Sequence, residues 1–184
     1  MDYETQLMMR FKQGDLDAYE ELVRRLHRGV IRLAFQYLRS SSESEDIAQE
    51  VFIKLYKARA RWEPRASIST WVFRITVNAC LNVVRSRKSA RTVSLDTPTE
   101  DGDRFDESIP EPGTVTPGEL LQDDETAHAV RRAIDQLPDT QRTAILLNRF
   151  EGLSYAEVAE VLGVSEAAVK SMLFRARQAL KGIL

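Results

Sequence analysis

The sequence contains one cysteine and two histidines, and it has no long run of apolar residues. Cys80 by itself cannot form an internal disulfide, and His27 and His128 are too far apart for a usual zinc site. A transmembrane helix needs about 20 apolar residues, so we expect no membrane insertion. No basic segment followed by an apolar run opens the chain, so we expect no secretory signal and a cytoplasmic location.

Length and composition are those of a globular protein. The chain has 184 residues, of which 43% are hydrophobic and 29% are charged. At about 150 residues per domain, this length allows one domain or two small ones. The composition excludes a collagen, a disulfide scaffold and a wholly disordered chain.

The net charge of −2 hides a strong segregation of charge along the chain. Residues 1–91 hold 17 basic and 11 acidic groups, and residues 126–184 hold 8 basic and 6 acidic groups. Residues 92–125 hold one basic and 11 acidic groups. Nine basic groups and one acid lie within 57–91, an excess that suits a polyanionic partner. The alternative for this run is a solvated basic surface.

The acidic middle segment also contains most of the residues that break helices and strands. Four prolines and three glycines lie between positions 98 and 118, and the segment has no apolar periodicity. Such a stretch cannot bury enough apolar surface to offset its conformational entropy. We therefore predict a flexible linker over 92–123 that joins a domain at 1–91 to a domain at 124–184.

Apolar residues recur at helical spacing on both sides of this linker, so we predict an all-α fold. On the N-terminal side we predict a helix from an Asp15 cap to Leu38, a helix opened by a Ser42/Glu45 capping box, a loop over 61–67 and a helix over 68–88. On the C-terminal side we predict a helix from about 121 to 137, a helix from Asp139 to Phe150 that ends at Gly152, a helix from a Ser154/Glu157 capping box to Leu162, and a last helix capped by Ser165.

Segment 68–88 is rich in β-branched residues, but about 20 residues without a turn signal favour a helix over a strand. A helix collects its polar side chains in one row, consisting of Thr70, Arg74, Asn78, Asn82 and Arg85. The packing side then consists of Trp71, Val72, Ile75, Ala79 and Val83.

Residues 155–174 fit a helix-turn-helix. The small Ala159 lets the two helices cross, Gly163 can adopt the positive φ of the turn, and Val169 packs back onto the first helix. We expect Val158, Leu162, Val164 and Met172 to complete the buried seam. The outward face carries Glu166, Lys170, Ser171, Phe174, Arg175, Arg177 and Gln178, whose donors suit base edges and phosphates in a major groove. Ser165 adds the helix N-terminus, where a phosphate can bind. The alternative is a helical hairpin within a bundle.

Several classes of function remain open from the residues alone. The two cationic faces suit a protein that contacts one nucleic acid twice, or a nucleic acid and a large assembly. A stand-alone helix-turn-helix regulator and an interaction module without nucleic acid are the alternatives. We expect no enzyme, because His27 and His128 have no carboxylate or nucleophile at a catalytic spacing, and we expect Cys80 to be an inert core thiol.

Several motifs, in order, resemble the extracytoplasmic-function (ECF) group of sigma-70 factors, the bacterial promoter-specificity subunits of RNA polymerase. The run Asp46–Phe52 resembles the segment that docks on the polymerase clamp. Ser69–Ile75, with Asn78, resembles the segment that melts and reads the −10 element. The C-terminal runs resemble the domain that reads the −35 element; they are Leu137-Pro138, Glu151–Tyr155, Ala168–Ser171 and Phe174–Arg177.

The resemblance implies two small helical domains, a sigma region 2-like bundle and a sigma region 4-like helix-turn-helix domain. It also implies no catalytic site, no metal and no cofactor. The implied partners are core RNA polymerase, promoter DNA and an anti-sigma factor. The implied residues are Ser165, Lys170, Ser171, Phe174, Arg175 and Arg177 for the −35 element, Arg74, Asn78, Asn82 and Arg85 for the −10 element, and Asp46, Gln49 and Glu50 for polymerase.

Three residues depart from the family's usual pattern. Met172 stands where arginine is frequent, Pro64 where glycine is common, and Arg65 where an acid is common. Trp71 matches a family tryptophan that we interpret as a packing residue. Two roles stay open for the acidic linker: it lies in the polymerase's basic RNA path, as the resemblance suggests, or it screens the basic faces of the free protein.

Overall fold

The computed structural model describes residues 2–64, 66–93 and 129–183. The chain divides into two compact units, and the described residues of both are helical without a strand, which confirms the all-α prediction. The first unit contains α1 (Tyr3–Lys12), α2 (Leu16–Leu38), α3 (Ser41–Ala58) and α4 (Ile68–Val93). The second contains α5 (129–135), α6 (Asp139–Ile145), a π-helical turn (Leu146–Phe150), α7 (Tyr155–Leu162) and α8 (Glu166–Ile183).

The predicted linker lies outside the described residues from position 94 onward, and so does the predicted helical stretch 121–128. None of the described helices is both long and apolar enough to cross a membrane.

The core of the first unit forms around α2, which packs against α1, α3 and α4. Asp15 caps α2 as predicted, because its carboxylate accepts a hydrogen bond from the Ala18 N–H at 3.1 Å. Helix α1 was not predicted from the sequence; it buries Leu7, Met8 and Phe11 against its neighbours. Cys80 is buried on α4 and takes part in no disulfide.

The predicted Ser42/Glu45 cap of α3 is wrong. Arg39 ends α2 with a φ of +55°, and the next residue, Ser40, has an extended backbone and accepts a hydrogen bond from the Glu43 N–H at 3.4 Å. The hydroxyl of the buried Ser44 donates to the Ser40 carbonyl at 2.6 Å. Serines at 40, 41 and 42 can each cap a helix, and the position where α2 ends selects the first of them.

Helix α4 is anchored at both of its ends. The Ser67 hydroxyl accepts from the Thr70 N–H at 3.1 Å, and the Ile68 N–H donates to the Thr5 hydroxyl of α1 at 3.4 Å. Near the other end, Arg87 donates to the Leu38 carbonyl at 3.2 Å and also forms an ion pair with Glu43. Helix α4 therefore continues to Val93, beyond the predicted end at 88.

In the second unit, the predicted α-helix from Asp139 to Phe150 changes to a π-helical turn after Ile145. The Glu151 N–H donates to the Leu146 carbonyl at 3.2 Å, five residues back. The predicted end at Gly152 is confirmed, with a φ of +72°. Phe150, expected on the apolar side, is 40% exposed, because the wider turn rotates it outward while Leu146 stays buried.

The helix-turn-helix has the predicted capping box at Ser154 and Glu157 and the predicted left-handed Gly163, with a φ of +68°. Ala159 and Val169 are buried, as the crossing of α7 and α8 requires. The seam prediction is wrong for Val164, which is 36% exposed, because the chain turns away from the core immediately after Gly163. Leu162 and Met172 are only half-buried.

Candidate nucleic-acid and partner interfaces

Helix α8 exposes one face to solvent and packs its other face against the rest of the second unit. Val169, Leu173 and Ala176 are buried, and they recur at the spacing of a single helix face. Lys170, Ser171, Phe174 and Arg175 are all exposed on the remaining surface. Phe174 is 62% exposed, an unusual position for a phenylalanine. Buried anchors on one side of α8 thus support donors and one aromatic ring on the other.

Ser165 and Arg177 lie at the margin of this face and have contacts of their own. The Ser165 hydroxyl caps α8 as predicted, accepting from the Ala168 N–H at 3.2 Å. Its hydrogen stays available for a phosphate oxygen, beside the positive end of the helix dipole. One guanidinium nitrogen of Arg177 lies 3.5 Å from the Tyr155 hydroxyl, so Arg177 points toward the start of α7.

Three of the predicted −10 residues form an exposed row on α4. Asn78, Asn82 and Arg85 are separated by four and three positions, so they share one face of the helix. Arg74 continues the row and is half-buried. Thr70, which we predicted in the same row, is 1% exposed, because the first turn of α4 packs against α1.

Trp71 is half-buried, seven positions before Asn78 and hence on the side of the polar row. Over 72–80 the opposite side of α4 is buried, and it includes Phe73 and Thr76, which we did not place on the packing side from the sequence. Its buried members are Val72, Phe73, Thr76, Val77, Ala79 and Cys80. Only the tertiary packing distinguishes these residues from Ile75 and Val83, which are half-buried.

The predicted polymerase-binding residues Asp46, Gln49 and Glu50 are exposed on α3. Glu50 forms an ion pair with Lys54 at 2.5 Å, one helical turn further along. Gln49 differs from the other two because it lines a groove between α3 and α2.

This groove has a volume of about 550 Å³ and is the interface feature that sequence reasoning missed. Its lining consists of Tyr19, Glu20, Val23, Arg24 and His27 from α2 and of Gln49, Phe52 and Ile53 from α3. Ile53 is 51% exposed, and the His27 ring stacks on the Phe52 ring at 6.0 Å. The separate periodicities of α2 and α3 predict two solvent-facing sides, and only the packing of the helices joins those sides into a groove.

Tyr19 is one of the residues that line the groove. Its hydroxyl donates to the Phe52 carbonyl at 3.1 Å and so ties α2 to α3. Burial raises the pKa of Tyr19 above its ordinary value, and the nearby Tyr56 raises it further. Tyr19 therefore stays neutral as a donor over the whole physiological pH range.

Comparison with known proteins gives the family of this chain. Residues 22–90 match the family model for sigma-70 region 2, and residues 127–180 match that for sigma-70 region 4. The RNA polymerase sigma-H factor of Pseudomonas aeruginosa is 32% identical over 97% of this chain and 92% of its own length. The ECF RNA polymerase sigma-E factor of Escherichia coli K12 is 32% identical over 95% of this chain and 90% of its own length. This chain belongs to the ECF group of sigma-70 factors.

A third relative supports the same assignment. The ECF RNA polymerase sigma factor SigM of Mycobacterium tuberculosis H37Rv is 33% identical over 98% of this sigma factor and 84% of its own length. The resemblance stated from the motifs is thereby confirmed, and a stand-alone regulator is not supported. Sigma factors are transcription initiation factors rather than enzymes.

Two solved structures share the fold of this sigma factor. One is CnrH in complex with the cytosolic domain of CnrY, with a TM-score of 0.72 and 24% identity, covering 99% of this chain and 97% of that chain. The other is the sigma factor RpoE from Bartonella quintana in complex with the anti-sigma factor NepR, with a TM-score of 0.69 and 20% identity, covering 90% and 95%. At these identities the likeness concerns the fold.

Proposed function

We propose that this sigma factor reads the −35 element as duplex through α8, holds the −10 element as a single strand along α4, and docks on core RNA polymerase through α3 and the groove beside it. The observation that carries the proposal is the pair of exposed donor faces, one in each unit, each with buried side chains on the opposite side of its helix. Family membership supplies the polymerase context in which both faces act.

At the −35 element, Lys170, Ser171 and Arg175 donate to base edges in the major groove. Each good side-chain pair with a base discriminates by about 1–3 kcal/mol, so three of them select a sequence by several kcal/mol. Phe174 supplies an apolar surface suited to a thymine methyl group. Ser165 and Arg177, at the margin of the face, contact phosphates and fix the register of the helix without reading sequence.

At the −10 element, the work is to bind bases that have left the duplex. Extruding a base costs a few kcal/mol of stacking and pairing energy. The side-chain amides of Asn78 and Asn82 can hydrogen-bond exposed base edges, while Arg74 and Arg85 attract the adjacent phosphates. Promoter melting is therefore driven by the binding energy of the open strand, without catalytic chemistry by this chain.

Docking on core polymerase uses Asp46, Gln49 and Glu50, together with the apolar interior of the groove. The exposed Ile53 offers apolar surface beside the polar residues of the groove, a composition found in protein interfaces. An anti-sigma factor is a further proposed partner, and the Bartonella quintana sigma factor of the same fold was solved with one. Because core polymerase and promoter DNA are the proposed partners, we place the protein in the cytoplasm.

In-vitro transcription with purified core polymerase tests the proposal. We expect promoter-specific transcripts only when this chain is added, and a chain carrying Asn78→Ala should lose open-complex formation while the −35 contact persists. Transcripts that do not depend on the chain, or binding of the free chain to DNA as a homodimer that excludes polymerase, would contradict it.

A further inference from the structure

The C-terminal part of α4 carries two residues of the proposed −10 row on a weakly packed stretch. Asn82 and Arg85 lie beyond Cys80, the last residue of α4 that is buried in the described part of the helix. Over 81–89, the last part of α4 whose side chains the structure describes, no side chain is buried. A helix end with few buried apolar contacts opens readily. A contact of another kind is therefore needed to keep Asn82 and Arg85 in position.

Arg87 lies on the packed side of α4 rather than in the −10 row. It follows the buried Phe73 by fourteen residues and the buried Cys80 by seven, so the three share one side of the helix. Arg85 is two residues from Arg87, which corresponds to about 200° of rotation around the helix. Arg87 and Arg85 therefore point in nearly opposite directions.

The two terminal nitrogens of the Arg87 guanidinium contact two different helices. One donates to the Leu38 carbonyl at 3.2 Å, and the other forms an ion pair with Glu43. Leu38 is the last residue of α2, where the helix leaves its carbonyls unpaired and where its dipole is negative. Glu43 lies in the first turn of α3. One side chain of α4 thus joins this helix to the corner between α2 and α3.

The corner that receives Arg87 is held by hydrogen bonds of its own. Arg39 has a φ of +55°, and its N–H donates to the Phe35 carbonyl at 3.0 Å. The hydroxyl of the buried Ser44 donates to the Ser40 carbonyl at 2.6 Å. The end of α2 and the start of α3 therefore form a fixed support for the guanidinium.

We propose that Arg87 is a positioning residue for −10 recognition. Through Glu43 and the Leu38 carbonyl it holds the C-terminal part of α4 where Asn82 and Arg85 meet the open strand. The proposal rests on the proposed −10 function of α4. Because α3 also carries the proposed polymerase-docking residues, the same contacts fix the −10 row relative to the docking helix.

The alternative role for Arg87 is a direct contact with a DNA phosphate. Against this role, its guanidinium faces α2 and α3, and the Glu43 carboxylate already compensates its charge. The two roles predict opposite effects of removing that carboxylate. An arginine that binds phosphate directly becomes freer to do so, whereas a positioning arginine loses part of its support.

The test is a double-mutant cycle on holoenzyme assembled from the full chain and saturating core polymerase. Affinity is measured for a fork probe with a duplex −35 element and a single-stranded −10 region. A partly exposed ion pair contributes little, so we expect Glu43→Gln to weaken fork binding by about 3-fold. Arg87→Gln also loses the carbonyl bond and should weaken it by about 10-fold. The double variant should bind as Arg87→Gln does, because Glu43 acts only through Arg87.

Two further measurements identify the cause of the loss. Amide hydrogen exchange over 83–89 of the free chain should become faster in both single variants. The slope of log affinity against log salt on the fork probe should change by much less than the value of about 0.7 that one lost single-strand phosphate contact produces.

Matched variants and a second probe serve as controls. Glu45→Gln removes an exposed carboxylate from α3, and Arg28→Gln removes an exposed cation from α2. Both should leave fork binding unchanged. A probe that ends after the duplex −35 element should bind all of these variants and the unaltered holoenzyme equally.

Three results overturn the proposal. If Glu43→Gln binds the fork probe at least as tightly as the unaltered chain and Arg87→Gln lowers the slope by about 0.7, Arg87 is a phosphate contact. If exchange becomes faster while fork affinity stays unchanged, Arg87 is a structural residue only. If the losses of the two single variants simply add in the double variant, Glu43 and Arg87 act independently.

Asn78→Ala distinguishes a failure of this proposal from a failure of the −10 role. If Asn78→Ala weakens fork binding and Arg87→Gln does not, only the positioning role is wrong. If neither variant weakens fork binding, the −10 role of α4 fails, and the positioning role fails with it.

Discussion

Arg175 on α8, which we propose as a −35-reading residue, lies only one position from a packing residue and differs from it in burial. Ala176 is buried within the second unit, whereas Arg175 is exposed. Arg175→Ala should lower discrimination at one −35 base pair by about 1–3 kcal/mol and leave the other positions unaffected. Binding to a promoter set substituted at each −35 position measures this, with Lys181→Ala as a matched change of charge on the same helix. Uniform weakening across the set would make Arg175 a phosphate contact.

Gly163 is the residue whose backbone conformation the helix-turn-helix needs. Its φ is +68°, and a methyl group added there would meet nothing within 4 Å. Gly163→Ala should therefore destabilise the second unit by about 1–2 kcal/mol through left-handed strain alone, and Gly163→Asn by less. Hydrogen exchange of the α7 and α8 amides measures the change. Gly182→Ala, at the end of α8, is the control, and an equal effect at both glycines would contradict the reason given.

At the scale of an element, α2 depends on the charge of its cap. The hydrogen bond from Ala18 and the guanidinium of Arg10 hold the pKa of Asp15 below its ordinary value of 3.8. Because this pKa is lower in the folded state than in the unfolded state, the ionised carboxylate stabilises the first unit at pH values above 3.8. This contribution is lost as the pH falls through the folded-state pKa.

The Asp15→Asn variant isolates this contribution, because asparagine also caps helices. We expect the unaltered chain to exceed the variant in urea midpoint at neutral pH and the difference to shrink as the pH falls below 3.8. Both tryptophans, Trp62 and Trp71, lie in the first unit, so their fluorescence reports on its unfolding. A difference that stays constant with pH would show that Asp15 acts through geometry alone.

At the scale of the whole molecule, the residues that we propose for polymerase docking and those that we propose for −35 reading lie in different units. Gln49→Ala with Glu50→Ala should weaken binding to core polymerase by about 1–2 kcal/mol and leave the affinity of the free chain for −35 duplex unchanged. The Glu50–Lys54 pair is exposed, so its loss contributes little to stability. Gel filtration with core polymerase and a duplex binding assay measure the two effects, and a loss of helical circular dichroism would instead make this pair of residues structural.

The acidic segment between the units supplies a second prediction at this scale. Asp101, Asp103, Asp106 and Glu107 lie outside the described residues, and their charge is known from the sequence. Changing all four to the neutral amides should raise the DNA affinity of the free chain if the segment screens the basic faces. It should lower initiation by the holoenzyme if the segment lies in the RNA path. If neither the DNA affinity of the free chain nor initiation by the holoenzyme changes, both hypotheses are excluded.

The helices and their boundaries could be predicted wherever they depend only on residues within the same element. The Asp15 cap, the Ser154/Glu157 capping box and the left-handed Gly163 depend on neighbours within four residues, and all three are confirmed. The segregation of charge, likewise, is a property of the chain before it folds. The motifs were sufficient to identify the family because they occur in this chain in the same order as in the ECF group.

The features that could not be predicted all depend on which elements meet. Ser40 rather than Ser42 opens α3 because α2 ends just before it, and Thr70 is buried because α1, unpredicted, packs there. The π-helical turn, likewise, occurs where the second unit must bury both Leu146 and Leu147.

The sequence by itself determined an all-helical chain with caps, turns and two cationic regions, since these follow from periodicity, backbone conformation and charge. Tertiary structure alone decided which side chains stay exposed on α4 and α8, how α2 and α3 form a groove, and how Arg59 comes to lie over the Phe11 and Tyr56 rings. The physical reason is that burial and through-space contact are properties of pairs of elements, and residues distant in sequence become neighbours only when their helices pack.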